Sequence, residues 1–168
     1  MYAVLIETFT VLFDRYGVFV LLLAFVLEGA LVGKVIPTRV LFVGSALAVG
    51  SDAFGLTALI AAAVVGGTIG QIFLFGLVRR TDIDLQQLPG SVEKATGTRL
   101  SRWVDRWGLP AVAISNAMPV ARGSLTVPLA LSNEDALRFS SAALVGTSMY
   151  AIGLVAVATG LDVALGVL

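Results

Sequence analysis

The sequence predicts an all-α integral membrane protein. The expected architecture is two inverted repeats, each a re-entrant hairpin plus a transmembrane helix, with interfacial amphipathic helices. Three observations carry that expectation. The first is composition: of 168 residues, 58% are hydrophobic and only 13% charged, with a mean hydropathy of +0.97. A soluble domain is roughly 45–50% apolar and about 25% charged, and a chain this short has too small a core to hide the excess. Lipid remains as the cover for the apolar surface. The second is a pair of uncharged runs long enough to span a bilayer. The third is that the other apolar runs are about half that length and come in pairs around a polar break carrying Pro and Gly.

The N-terminal residues 1–13 hold no Lys or Arg and do hold Glu7, so the basic start of a cleavable signal is missing. Leu5, Phe9, Leu12 and Tyr16 recur at helical spacing. They suggest a helix on or entering the membrane surface, or a ragged start to the first buried segment. Residues 16–27 form an apolar run of 12, and residues 40–51 another 12; each is about 18 Å long as a helix. They predict a first hairpin with its tip from Glu28-Gly29 to Pro37-Thr38-Arg39. The alternative is a single crossing over residues 16–35 despite Glu28 and Lys34. Residues 53–78 are then 26 residues without a charge, more than the roughly 20 that a ~30 Å core requires.

A polar linker follows, residues 79–106, with six basic residues against four acidic ones. The positive-inside rule puts it in the cytoplasm and both termini outside. Within it Leu100, Trp103, Val104 and Trp107 form one apolar face, with Arg99, Arg102 and Arg106 off it, which reads as an interfacial helix with an aromatic anchor. The second half has apolar runs over residues 107–121 and 123–132, separated by Arg122. Its prolines Pro110, Pro119 and Pro128 break any long helix, so the second hairpin tip falls from Asn116 to Gly123. Residues 139–161 are a further 23 without a charge, the second crossing.

The halves repeat each other. Asp14-Arg15-Tyr16-Gly17 matches Asp105-Arg106-Trp107-Gly108; Ile36-Pro37 with Arg39 matches Met118-Pro119 with Arg122; Asp52-Ala53 matches Asp135-Ala136. Arg39 to Asp52 and Arg122 to Asp135 are both 13 residues, whereas Gly17 to Pro37 is nine longer than Gly108 to Pro119. One crossing per repeat is odd, so the second repeat is inverted relative to the first, a transporter architecture with its site near the midplane. The expected boundaries are one membrane domain over residues 1–168: repeat one over about 14–79, linker over about 80–106, repeat two over about 105–162.

Net charge is zero, with 11 basic and 11 acidic residues, and there is neither Cys nor His. Disulfides, histidine metal sites and Ser/His or Cys/His nucleophile pairs are thereby excluded, and net charge makes no case for nucleic acid. No cofactor, metal or enzymatic activity is expected. Ionisable residues inside apolar runs are functional candidates by default. Here these are Glu28, Lys34, Arg39 and Arg122, with Gln71 and Asn116 as polar companions and Pro37, Pro119 and Arg79 in support. Two guanidinium forks at hairpin tips that meet mid-membrane would suit bidentate phosphate recognition, helped by helix ends and backbone amides. Glu28 would be their counter-charge. The bland alternatives are that Arg39 and Glu28 pair to lock the hairpin, and that Arg39 and Lys34 snorkel to an interface. For Gln71 and Asn116 the alternative is helix–helix hydrogen bonding; Gly66, Gly67 and Gly70 read as close packing, and Gly29 with Gly33 as a weak GxxxG pair.

Glu28, Ile36-Pro37 entering residues 40–48, Gly70-Gln71 to Arg79, Trp107-Gly108, Met118-Pro119-Val120-Ala121-Arg122 and Phe139 resemble the DedA family. These proteins are also called SNARE-associated or VTT-domain membrane proteins. The resemblance covers about residues 14–162 and is most specific in Pro119-x-x-Arg122 with its Trp-Gly entry. It implies a multi-pass cell-membrane lipid transporter, a flippase or scramblase, with two opposed re-entrant hairpins. Bacterial relatives are linked to polyprenyl-phosphate recycling with proton or cation coupling, and eukaryotic ones to phospholipid scrambling. Glu28, Arg79 and Arg122 match the family pattern. Pro37-Thr38-Arg39 stands where the family has an acid after Pro-Gly, Asn116 where it has Arg, and Gly70-Gln71 where it has Gly-Asp. That leaves Glu28 as the intramembrane carboxylate for proton coupling. The family's extra terminal helices are not expected here, so the expectation is a minimal version. The expected partners are membrane lipids with phosphate headgroups, with no nucleic acid; no oligomer is predicted. The competing functions are an ion- or small-anion-coupled transporter on the same scaffold and a non-transporting membrane assembly protein.

Overall fold

A computed structural model describes residues 16–30, 37–50, 52–81, 106–119, 121–132 and 134–165. The expected N-terminal surface helix, most of the linker with its interfacial helix, and Gly33 and Lys34 lie outside the described residues. Within them all regular structure is helical: α1 (Val18–Gly29), α2 (Thr38–Val49), α3 (Ala53–Arg80), α4 (Leu109–Ala117), α5 (Thr126–Ala130) and α6 (Ala136–Leu165). Helices α3 and α6 are long and apolar enough to cross a membrane. Both run past the expected ends, because Arg79-Arg80 and Asp162 lie at their ends rather than inside the apolar stretch.

The two long helices start alike. The Asp52 carboxylate accepts from the backbone N–H groups of Phe54 and Gly55, and that of Asp135 from Leu137 and Arg138. Each acid thus satisfies two of the orphan donors of a helix N-terminus. The short helices also start alike. Gly17 and Gly108, which precede α1 and α4, have φ of 59° and 53°, a left-handed backbone that glycine adopts without steric cost. The second hairpin's helices are shorter than its apolar runs, 9 and 5 residues. Residues 121–125 are turns instead, with Gly123 at φ 73°.

The core has two clusters. Leu21 and Phe25 of α1 and Leu41, Phe42 and Ala46 of α2 pack on Leu59 and Ala63 of α3 and on Tyr150 to Ala158 of α6. Ala111 and Val112 of α4 and Leu125 to Ala130 pack on Leu74 to Val78 of α3 and on Phe139 and Ala143 of α6. The start of α3 therefore meets the end of α6, and its end meets the start of α6: the two long helices are antiparallel. Helix α1 packs on α3 and α4 on α6, while α2 crosses to α6 and α5 to α3. The same contact scheme thus holds for both halves.

Close approach at the middle depends on absent side chains. A Cβ at Gly70 would run into the carbonyl oxygen of Val26 in α1, and one at Gly146 into the carbonyl oxygen of Ala113 in α4. Gly29, read as half of a GxxxG pair, faces α3 of its own chain, where a Cβ would stand 2.5 Å from the Gly67 carbonyl oxygen. The opposite faces of the long helices expose large apolar side chains, among them Phe54, Phe73, Leu137 and Ile152. Such continuous outward apolar faces exceed what soluble monomers leave uncovered.

Candidate functional site

Between the two apolar clusters lies a polar layer at mid-height of α3 and α6. It contains Glu28 from the last turn of α1, Thr68 and Gln71 from α3, Asn116 from the last turn of α4, Arg122 from the turns after α4, and Thr147 from α6. A polar group removed from water is costly unless paired, so the pairings define what this layer can do.

Arg122 is the centre. Its side chain is 5% exposed, and its Nη1 donates to Oε2 of Glu28 at 3.3 Å, the latter side chain being 17% exposed. Its guanidinium carbon lies 4.2 Å from the centroid of the Tyr150 ring and 5.2 Å from that of Phe25, positions in which an aromatic face attracts a cation. Gly67 leaves room for the guanidinium: a Cβ there would collide with Nη2 of Arg122. Gly66 and Gly70 do serve helix packing, as their spacing suggests, but Gly67 serves the arginine.

Arg39 occupies the first turn of α2. It is more exposed than Arg122 and its bonds go to neutral oxygens. Nε donates to the Tyr150 hydroxyl at 3.2 Å, and Nη2 donates to the carbonyl oxygen of Pro119. The two arginines share Tyr150 as a neighbour, one on its hydroxyl and one on its ring. Glu28 pairs with Arg122 and not with Arg39. Pro37 caps α2 at its N-terminus, and the main contribution of Pro119 is its carbonyl.

Gln71 and Asn116 are fully or nearly fully buried. The Asn116 Nδ2 donates to Oε1 of Gln71 at 2.8 Å, and its Oδ1 accepts from the Gly123 N–H at 3.0 Å. They thus bond helix to helix, and also tie the second tip to α3. Arg79 lies away from this layer. It donates to the carbonyl oxygens of Ser132 and Glu134 and stands 5.1 Å from the Phe75 ring centroid, where it fastens the end of α3 to the start of α6.

Several buried groups in the layer have no hydrogen-bond partner among the described residues: Nε and Nη2 of Arg122, Nε2 of Gln71, and the hydroxyls of Thr68 and Thr147. Guanidinium and amide nitrogens only donate, so the layer has donors to spare. Among the described residues, with Glu28 set against Arg122, Arg39 leaves one positive charge in excess. Both features suit an anion. Among the described residues no three acidic side chains gather as a metal site would need. Tyr150 and Thr147 were not singled out in the sequence, and Gly67 only as a packing glycine. An aromatic, a threonine and a glycine inside an apolar run look like packing, and only their position against Arg122 distinguishes them.

No family model matches the chain, and no solved structure matches it. Two curated proteins are similar to it, both called undecaprenyl phosphate transporter A. That of Bacillus subtilis (strain 168) is 25% identical over 109 residues, covering 63% of this chain and 55% of the relative. The match thus spans about half of that relative's length. That of Staphylococcus aureus (strain NCTC 8325 / PS 47) is 21% identical over 169 residues, covering 96% of this chain and 82% of the relative.

Proposed function

We propose that this chain is a multi-pass membrane transporter of the DedA family that moves lipids with phosphate-bearing headgroups between leaflets, with polyprenyl phosphate as its substrate. The observation that carries the reading is Arg122: a buried arginine with one carboxylate partner and two unpartnered nitrogens, between two hairpin ends. The names of the two relatives agree with a phosphate headgroup, and the outward apolar faces of α3 and α6 agree with lipid on both sides.

In this reading α1 with α2, and α4 with α5, are re-entrant hairpins. Helices α1 and α2 have 12 residues each, about 18 Å, which reaches roughly halfway through a ~30 Å core. The repeated contact scheme and the antiparallel long helices support an inverted pair. The headgroup crosses at the polar layer while its chains stay in lipid. Arg122 receives the phosphate, Arg39 draws it in from the more open side, and Glu28 holds Arg122 between cycles.

Two of the three departures from the DedA pattern fall on one contact. Gln71 stands for an acid and Asn116 for an arginine, and they bond to each other, so a neutral amide pair replaces an expected charged one. Glu28 remains as the carboxylate that could couple proton movement to the cycle.

The test is translocation of polyprenyl phosphate by the full chain in proteoliposomes. The wild type moves the lipid, and Arg122→Ala falls to the protein-free background while retaining its helical circular dichroism. Movement of inorganic phosphate without lipid would favour the anion transporter instead. A wild type inactive toward both, or an Arg122→Ala variant at full rate, would overturn the proposal.

A further inference from the structure

The orientation of the Gln71 amide is fixed by its neighbours. A backbone N–H can only donate, so the Gly123 N–H, 3.0 Å from the Asn116 side chain, must meet the Asn116 oxygen. The Asn116 nitrogen then points at Gln71, which must accept with Oε1, at 2.8 Å. Gln71 is left with Nε2 directed away from this chain of bonds, as a donor without an acceptor among the described residues. Oxygen and nitrogen of an amide are usually assigned rather than observed; here the backbone donor at one end dictates both.

Gln71 lies one helical turn beyond Gly67. Side chains on a helix lean toward its N-terminus and cover the preceding turn, so Gln71 leans over Gly67. That is also the location of the Arg122 guanidinium, and the methyl of Thr147 is 3.2 Å from a Cβ built at Gly67. Thr68 is the next residue. Arg122 uses Nη1 for Glu28, which leaves Nε and Nη2 free, the edge with which a guanidinium grips two oxygens side by side.

We propose that Gln71, its amide locked by Asn116 and Gly123, is a specificity-determining residue that selects a phosphate monoester headgroup over a phosphodiester. This rests on the phosphate-lipid reading above and deepens it. A monoester presents three terminal oxygens. Two take the free edge of Arg122, and the third takes the Gln71 amide. A diester has only two non-bridging oxygens; with both turned to the arginine edge, an ester oxygen takes the place of the third and offers the Gln71 donor a poorer acceptor. A poorly paired buried donor penalises that ligand.

The experiment measures equilibrium binding of geranylgeranyl monophosphate and of phosphatidylglycerol to the full chain in detergent, alongside vesicle translocation. In the wild type the monoester binds more tightly. Gln71→Met removes the donor without adding charge; monoester binding weakens about tenfold while diester binding, relieved of the poorly paired donor, does not weaken, so the preference collapses. Gln71→Glu places an acceptor there and weakens monoester binding further at neutral pH. Acidification restores it relative to the wild type, because the protonated carboxyl group again offers a donor. The wild type is the necessary control, since Glu28 and Arg122 face the same space and Tyr150 and Arg39 border it. Monoester preference unchanged in Gln71→Met would overturn the role of Gln71. Wild-type binding with preference but no translocation would overturn the transport reading alone, and absence of wild-type monoester binding would overturn both.

Discussion

The two pairs of short helices, α1 with α2 and α4 with α5, share a frame and differ in their charges. Glu28 and Asn116 are both the penultimate residues of the helices that enter the layer, α1 and α4, yet one is an acid and the other an amide. Arg39 follows Pro37 by two residues and sits in the first turn of α2, whereas Arg122 follows Pro119 by three and sits in a run of turns. One residue of offset redirects a side chain by about 100° on a helix. The outcome is an exposed arginine on neutral acceptors in one half and a buried, ion-paired arginine in the other. The first pair supplies the carboxylate and the second the guanidinium that answers it. Similar contact schemes in the two halves thus surround one asymmetric polar layer, and the ion pair across the halves joins them.

The comparison is sharpest when each arginine is removed. Arg122→Ala leaves Glu28 largely buried without its partner, and breaking a buried pair this way costs about 3–5 kcal/mol. Arg39→Ala loses bonds to a hydroxyl and a carbonyl near the surface, worth about 0.5–1.5 kcal/mol. Denaturant or thermal unfolding in detergent measures both. Adding Glu28→Gln to Arg122→Ala is expected to recover much of the loss, since no orphan charge remains. Equal losses at the two arginines would remove the distinction between the halves.

Next in size is helix packing, where the halves are expected to agree. Gly70→Ala drives a methyl into a backbone carbonyl of α1, and Gly146→Ala into one of α4. Neither obstacle can swing aside, so each costs about 1–3 kcal/mol or more. Gly67→Ala meets the end of the Arg122 side chain instead, which can move. It is expected to cost less stability than Gly70→Ala but to reduce the proposed translocation more, and measuring melting temperature and lipid movement together separates the two. A Gly67→Ala variant with full activity would mean that the guanidinium position is not critical.

Much of the frame was legible because it is written in local terms. Uncharged runs of 26 and 23 residues have few soluble explanations, and Asp before each long helix is a capping signal. Glu28, Gln71, Asn116 and Arg122 stood out because polar groups are exceptions in apolar sequence, and the structure brings these four into one layer. Their partners were not legible. Pairing of Arg122 with Glu28, 94 positions apart, rather than of Arg39 with the nearer Glu28, is decided by how the halves dock. Tyr150 illustrates the limit: on sequence it is one aromatic in a spanning run, and it becomes the shared neighbour of both arginines only once α6 lies between the hairpins. Residues 121–125, with Arg122, Gly123 and Ser124 among them, form turns rather than helix.

The smallest effects come from the caps, and they test whether the long helices are equivalent at their starts. Asp52→Ala removes two bonds to orphan N–H groups and is expected to cost about 1 kcal/mol. At Asp135 the bond from the Arg138 N–H, then that from Leu137, holds the carboxyl below its ordinary value of 3.8, with Arg138 and Arg79 adding smaller attractions. A carboxylate with a lowered folded-state pKa contributes stability that is fully present above its unfolded value and fades as pH falls through the folded one. The Asp135 contribution is therefore constant near neutrality and declines only below about pH 4. Asparagine caps a helix nearly as well as aspartate but does not titrate. Asp135→Asn should leave the melting temperature at pH 7 almost unchanged and flatten part of its decline in acid. An equally steep decline in the variant would move the acid sensitivity to other carboxylates and make the two starts less alike than their matching Asp-Ala pairs imply.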